Sequence, residues 1–209
     1  MRKVKRDELR KIANFFAEQF YGLEPFRTAM NGIEPQKAKL LIAEKYYGQF
    51  FHSLYNQADI FVDGDAIKGA IIGIDKNKKS LFAFAPVVFD VLKIAFTMCS
   101  KSERRLILHN TKTIKEVQNA KWYKKHCTAA PYYLALFAID TASRGKGLCR
   151  EMLESFFDHA KTRAASIVLE THTATNVPLY EHFGFVLAES KKTADGTLTE
   201  YRMIKKFTE

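Results

Sequence analysis

Three groups of residues in this chain have types and spacings suited to chemistry. The first is Ser143-Arg144-Gly145-Lys146-Gly147-Leu148-Cys149-Arg150. It follows an apolar run from Tyr132 to Ile139. It precedes a pattern in which Leu148, Met152, Leu153, Phe156, Phe157 and Ala160 recur at spacings of three and four. Strand, glycine turn and helix in that order present backbone N–H groups at a helix N-terminus, where the macrodipole favours an anion. Gly145 and Gly147 let a phosphate approach the backbone closely. The same pattern also suits a turn that holds no ligand. The second group is Glu170 and His172, two residues apart at the end of the strand-like run Ser166 to Glu170, hence on one side of it. Either residue can relay a proton through water, orient an amine, or be a satisfied polar residue. The third is Tyr180, in Asn176-Val177-Pro178-Leu179-Tyr180-Glu181-His182-Phe183-Gly184-Phe185. A phenol is protonated at neutral pH and can donate a proton; a helix Tyr packed on the core is the plainer reading. Asn176 suits a helix cap.

Two of these motifs resemble those of the GNAT-type N-acetyltransferases. The family's loop, Arg/Gln-x-x-Gly-x-Gly/Ala, is matched by Arg144, Gly147 and, with a departure, Cys149. Its next block, Asn then Tyr then Gly-Phe, is matched by Asn176, Tyr180, Gly184 and Phe185. The resemblance runs from about Pro131 to Val186. It implies an α/β (α+β) fold with a GNAT-like mixed, mostly antiparallel central sheet flanked by helices. It implies an N-acetyltransferase that moves an acetyl group from acetyl-CoA to a primary amine, small molecule or peptide, by direct attack on the thioester. No metal is implied.

The resemblance also distributes roles. The backbone of Phe137, Ala138 and Ile139 would bind the pantetheine arm as an added strand and supply an N–H to the oxyanion. Arg144, Gly145, Lys146, Gly147, Leu148 and Cys149 would hold the pyrophosphate, with Asn176 bonding the pantetheine arm or capping its helix. Tyr180 would be the general acid. Cys149 stands where the family prefers Gly or Ala, and a packing role suits it better than a reactive one. Glu170 is the candidate base or acceptor anchor, ahead of His172. The alternative function is a non-catalytic acyl-CoA-binding sensor or interaction module. A P-loop hydrolase is excluded because Gly147 is followed by Leu148 and Cys149, not by Lys-Ser/Thr. A Rossmann dinucleotide site lacks its three glycines.

Composition narrows the setting. The 209 residues, 47% hydrophobic, suit a single domain with a sizeable core. The net charge of +10 favours anionic partners, but the basic residues are spread out, and no RNA motif or zinc-finger spacing points to nucleic acid. Cys99, Cys127 and Cys149 are too far apart for a disulfide framework, which fits a cytoplasmic protein. The N-terminus carries no apolar signal core. Leu81 to Cys99 is nearly apolar, yet Pro86, Asp90 and Lys93 argue for a buried or amphipathic helix rather than a membrane span.

The elements that must position these groups follow from periodicity. A helix capped by Asp7 runs to Phe20, a short one covers Phe26 to Met30, and another runs from Pro35 towards Tyr55. Strands over 59–63 and 66–74 flank Gly64-Asp65. Lys76 to Ala130 reads as a helical insertion before the cofactor strand, with one piece over Leu81–Ser100 and one over Glu103–Lys125. It suits packing or a homodimer contact, or a wall of the acceptor site. Phe185–Ser190 and Thr197–Lys205 form a final hairpin around Asp195-Gly196.

Overall fold

The computed structural model describes residues 1–42, 48, 51, 55–77 and 98–207. Its frame is a seven-stranded sheet in the order β1-β2-β3-β4-β5-β7-β6. The strands are β1 (Arg2–Lys3), β2 (Ala58–Val62), β3 (Gly69–Asp75), β4 (Tyr132–Ile139), β5 (Ser166–Thr171), β6 (Val186–Lys192) and β7 (Thr199–Lys206). All neighbours pair antiparallel except β4 and β5, which run parallel. This is the mixed, mostly antiparallel sheet expected.

Helices cover both faces. On one, α1 (Leu9–Phe20) buries Leu9, Ile12, Ala13, Phe16 and Ala17 at helical spacing. These meet Ile60, Val62, Ala70 and Ile72 from β2 and β3. On the other, α5 (Leu148–Lys161) turns Met152, Leu153, Phe156, Phe157 and Ala160 onto Ile71, Tyr132, Leu134 and Ile167. Complete burial of such side chains is worth about 1.5–3 kcal/mol each, so the apolar stripes of α1 and α5 dock these helices on opposite faces of one sheet. Between them in sequence lie α2 (Glu24–Ala29), α3 (Pro35–Leu40) and α4 (Lys101–Val117); α6 (Asn176–His182) follows β5.

Several expectations are corrected. Asp7 does not cap α1; it lies inside a 3-10 turn, Arg6–Glu8, that runs directly into the helix. Glu8 closes that turn by accepting from the Lys5 N–H at 2.8 Å. The short second helix begins at Glu24 rather than Phe26, because Pro25 fits a first turn, where its missing N–H is not needed. The N-terminal residues form a strand: Arg2 pairs with Val62 and Lys3 with Phe61. Pro35 does open α3, and Glu34 caps it by accepting from the Gln36 and Lys37 N–H groups. Tyr47, Phe50 and Leu54 of the expected long helix lie outside the described residues, as do residues 81–97 of the apolar piece.

The helix expected over Glu103–Lys125 is two elements. Ser100 and Glu103 form a capping box that starts α4 at Lys101. The helix stops at Val117 because Gln118 turns extended. Asn119 then accepts from the Lys121 N–H with its side chain and from the Trp122 N–H with its carbonyl. That turn delivers Trp122, fully buried, to Val168 and Ile204, and a 3-10 turn covers Trp122–Lys125.

Candidate active site

The loop between β4 and α5 carries two backbone positions that glycine suits. Gly145 and Gly147 have φ of 74° and 85°, in the left-handed region that L side chains avoid. A Cβ on either would meet no protein atom within 4 Å, so conformation calls for glycine there and the surface outside stays open. Gly147 is the N-cap of α5. Among the described residues, the N–H groups of Gly145, Lys146, Gly147, Leu148, Cys149 and Arg150 have no protein acceptor. Consecutive open amides ahead of a fourteen-residue helix are the kind of arrangement that suits an anion. The two cations of the loop are engaged with protein. Arg144 donates from Nε to the Ile139 carbonyl at 3.2 Å and from Nη2 to Gln19 at 3.3 Å. Lys146 donates to the Ala142 carbonyl at 2.8 Å.

Next to this loop the sheet parts. β4 and β5 pair only at Tyr132 with Ile167 and at Tyr133 with Val168. Beyond Tyr133, the edge of β4 that faces β5 carries no ladder, so its backbone groups can bond an extended guest. On its other side, β4 stays paired to β3 through Ile139. The register passes from Leu136 opposite Ile72 to Leu134 opposite Gly73, which makes Ala135 the extra residue of a bulge. Phe137, Ala138 and Ile139 thus lie on the parted stretch, with Ala138 and Ile139 buried in the two cores.

A cavity of about 480 Å³ occupies the gap. It brings together Phe137, Glu170, Asn176 and Tyr180 of the expected site residues, together with His172. Ala138, Ile139 and residues 144–149 are not in its lining; they lie at the far end of β4 and beyond. Cys149 reaches towards Tyr180 from the first turn of α5, and its thiol, pushed up by burial, packs against the core. Tyr180 is buried beside Phe185, and burial raises its phenol well above the ordinary value. Asn176 does not cap α6. Thr175 holds that position, and Asn176 donates to the Thr171 hydroxyl at 3.1 Å.

Glu170 is held by two donors, Trp122 Nε1 on one oxygen and the Tyr133 hydroxyl on the other. Burial raises its pKa, and these two bonds oppose the rise without cancelling it. Lys76, over the Tyr133 ring at 4.4 Å, has its own pKa lowered by burial, partly offset by Glu170. His172 places Nε2 3.5 Å from Glu200, without a hydrogen bond. Glu200 is tied to Arg202 at 2.8 Å, and Arg202 to Glu189 at 2.7 Å.

The sequence reading missed Trp122, Tyr133, Lys76 and Glu200. Trp122 carried one available signal, as the chain's single Trp. The insertion contributes Lys76, Gln118, Asn119, Ala120 and Tyr123 to the cavity wall, while Phe20, Leu23, Pro25 and Phe26 close it from the segment around α2.

Comparison with known proteins gives a consistent picture. Residues 110–206 match the family model described as an acetyltransferase (GNAT) domain. An uncharacterized N-acetyltransferase of Schizosaccharomyces pombe is 33% identical over 86 residues, 40% of this chain and 31% of that protein, so the chain spans about a third of that relative's length. Among solved structures, the histone acetyltransferase HPA2 and related acetyltransferase from Corynebacterium glutamicum superposes with a TM-score of 0.65 at 17% identity, over 100% of this chain and 96% of that one. Arylalkylamine N-acetyltransferase 2 from Aedes aegypti gives 0.60 at 13% identity, over 99% and 98%. The NatC complex bound to Gag peptide and CoA gives 0.51 at 13% identity, over 99% and 97%. These structures share the fold with this chain. No helix among the described residues is long and apolar enough to cross a membrane.

Proposed function

We propose that this chain transfers an acetyl group from acetyl-CoA to a primary amine by direct attack on the thioester, a reading supported by the match of residues 110–206 to the acetyltransferase (GNAT) domain model. The observation that carries this reading is the run of open amides from Gly145 to Arg150, set beside an unladdered β4 edge that leads into the cavity. The loop takes the pyrophosphate. The pantetheine arm lies along the free edge of β4 at Phe137 and neighbouring residues, which brings the thioester to the bulge at Ala135. A β4 N–H there supports the oxyanion. The NatC complex, which shares the fold, is solved with CoA and a peptide bound, which supports CoA as the donor's carrier here.

The proton transfers fall to two cavity residues. The ammonium acceptor loses a proton, directly or through a water, to Glu170, whose raised pKa brings it closer to neutrality than an ordinary carboxylate. The neutral nitrogen attacks the carbonyl carbon, the C–S bond breaks, the thiolate takes the Tyr180 proton, and the nitrogen sheds its second proton through water to the Tyr180 phenolate, which leaves a neutral amide and a restored phenol. Burial keeps that phenol protonated.

The test measures thiol release from acetyl-CoA against a panel of amines, with calorimetric binding of acetyl-CoA alongside. Tyr180→Phe keeps the ring but removes the donor. It should lower kcat about 10²–10³-fold with acetyl-CoA affinity little changed. Gly147→Glu, which places a carboxylate at the loop, should abolish binding. Tight cofactor binding with no turnover on any amine would replace catalysis with sensing.

A further inference from the structure

This inference rests on Glu170 as the proton acceptor of the proposed reaction. We propose that Trp122, brought to the cavity by the segment between β3 and β4, is a positioning residue that fixes the orientation and protonation of Glu170, with Tyr133 as its counterpart on the other oxygen.

The geometry is specific. Trp122 is 0% exposed and packs on Val168 and Ile204, so its indole has one place to sit. Its Nε1–H is a donor only, so the Glu170 oxygen it meets must accept. The Tyr133 hydroxyl engages the second oxygen. One donor on each oxygen pins the carboxylate plane and leaves further lone pairs for a proton from the cavity.

The choice of neutral donors matters. A guanidinium or ammonium bonded to Glu170 would favour the charged form strongly and weaken the base. Trp122 and Tyr133 hold the group while adding no net charge. Among the described residues, the titratable and charged groups that face it are Lys76 after β3, Tyr133 on β4, Tyr123 beside Trp122, His172 after β5, and Glu200 and Arg202 on β7. Of these, Arg202 is bonded to Glu200 and Glu189 rather than to Glu170. Glu200 favours the protonated form of Glu170 and Lys76 the charged form. Because Trp122 and Tyr133 favour the carboxylate, losing either donor moves the pKa upward, and the acid limb of the rate profile moves to higher pH.

Two measurements on the full chain test this. One follows the Glu170 carboxyl by difference infrared spectroscopy against pH without substrate, assigned through Glu170→Gln. The other follows kcat/KM against pH with acetyl-CoA and an accepted amine. Trp122→Phe and Tyr133→Phe should each raise the carboxyl titration and the acid limb by about one pH unit. If Trp122→Phe does not fold, a benzothienyl analogue of Trp at position 122 keeps the shape and lacks the N–H, and the same shift is expected. A folded variant at position 122 with an unmoved carboxyl titration overturns the proposal. A shifted titration in a chain that cleaves no thioester keeps the positioning role and removes the acetyltransferase reading. Thioester turnover with neither profile moved does the reverse.

Discussion

Tyr132 and Tyr133 are neighbours on β4, point to opposite faces of the sheet, and each donates its hydroxyl to a carboxylate, a buried one for Tyr132 and a partly buried one for Tyr133. Their partners differ in company. Tyr132 meets Asp59 at 2.6 Å, and Asp59 also takes Lys3 at 2.9 Å, His159 at 3.0 Å and Arg163 at 3.8 Å. Tyr133 meets Glu170, whose second bonded donor is the neutral indole of Trp122. Burial pushes both carboxylates up. At Asp59 the bonds from Lys3, Tyr132 and His159 overcome it, and the pKa ends below its ordinary value. At Glu170 neutral donors do not, and the pKa ends above. The Lys3 ammonium favours the charged form of Asp59, and the bonds to Lys3 and His159 fasten β1 and α5 to β2. Neutral donors hold a carboxylate in place and leave it able to exchange a proton.

The comparison breaks first, and most visibly, at Glu170. Glu170→Gln keeps the acceptor for one donor and removes the proposed base, so kcat should fall on the order of 10³-fold while the thermal midpoint moves little. The measurement is steady-state turnover beside a melting curve. A variant with wild-type turnover would move the base elsewhere in the cavity, His172 first.

The opposite split is expected at Asp59. Asp59→Ala should cost about 3 kcal/mol of stability, in the range for breaking a buried ion pair, with turnover per folded molecule unchanged. Chemical denaturation measures it. The pH dependence has a definite sign. The folded pKa of Asp59 is depressed, so its contribution is full above the unfolded value near 3.8 and is lost as pH falls through the folded value. The difference between wild type and variant should therefore hold from neutrality to about pH 4 and narrow below it.

The smallest effect sharpens the contrast between the two tyrosines. Tyr132→Phe removes one of several donors to Asp59 and should cost about 1–2 kcal/mol, with no change in the pH profile of the rate. Tyr133→Phe should do the reverse, moving the profile with little loss of stability. Equal behaviour of the two variants would show that the face of the sheet does not separate fastening from chemistry.

What could be read in the chain was local. Arg144 to Cys149 are contiguous, and glycines at 145 and 147 announce a turn whose φ values the fold then requires. Asn176, Tyr180, Gly184 and Phe185 are placed by one short helix and the turn after it. The apolar stripes of α1 and α5 follow from a period of 3.6 and a sheet to lie on. The break at Val117 was less legible, because residues 103–125 carry no Gly or Pro. It is made by Asn119 and by the burial of Trp122 against strands that come later in the chain.

The sequence alone therefore determined most of the order of elements, β1 and the break after Val117 apart, together with the glycine turn of the loop and the presence of a phenol and a carboxylate near one strand end. It left open which carboxylate would be chemically free. That was decided by partners 73 residues from Tyr132 and 37 and 48 residues from Glu170. A buried acid takes its protonation state from every charge and donor within a few ångströms. Those neighbours are assembled by the sheet and by the turn that carries Trp122, so the difference between Asp59 and Glu170 exists only once the chain has folded.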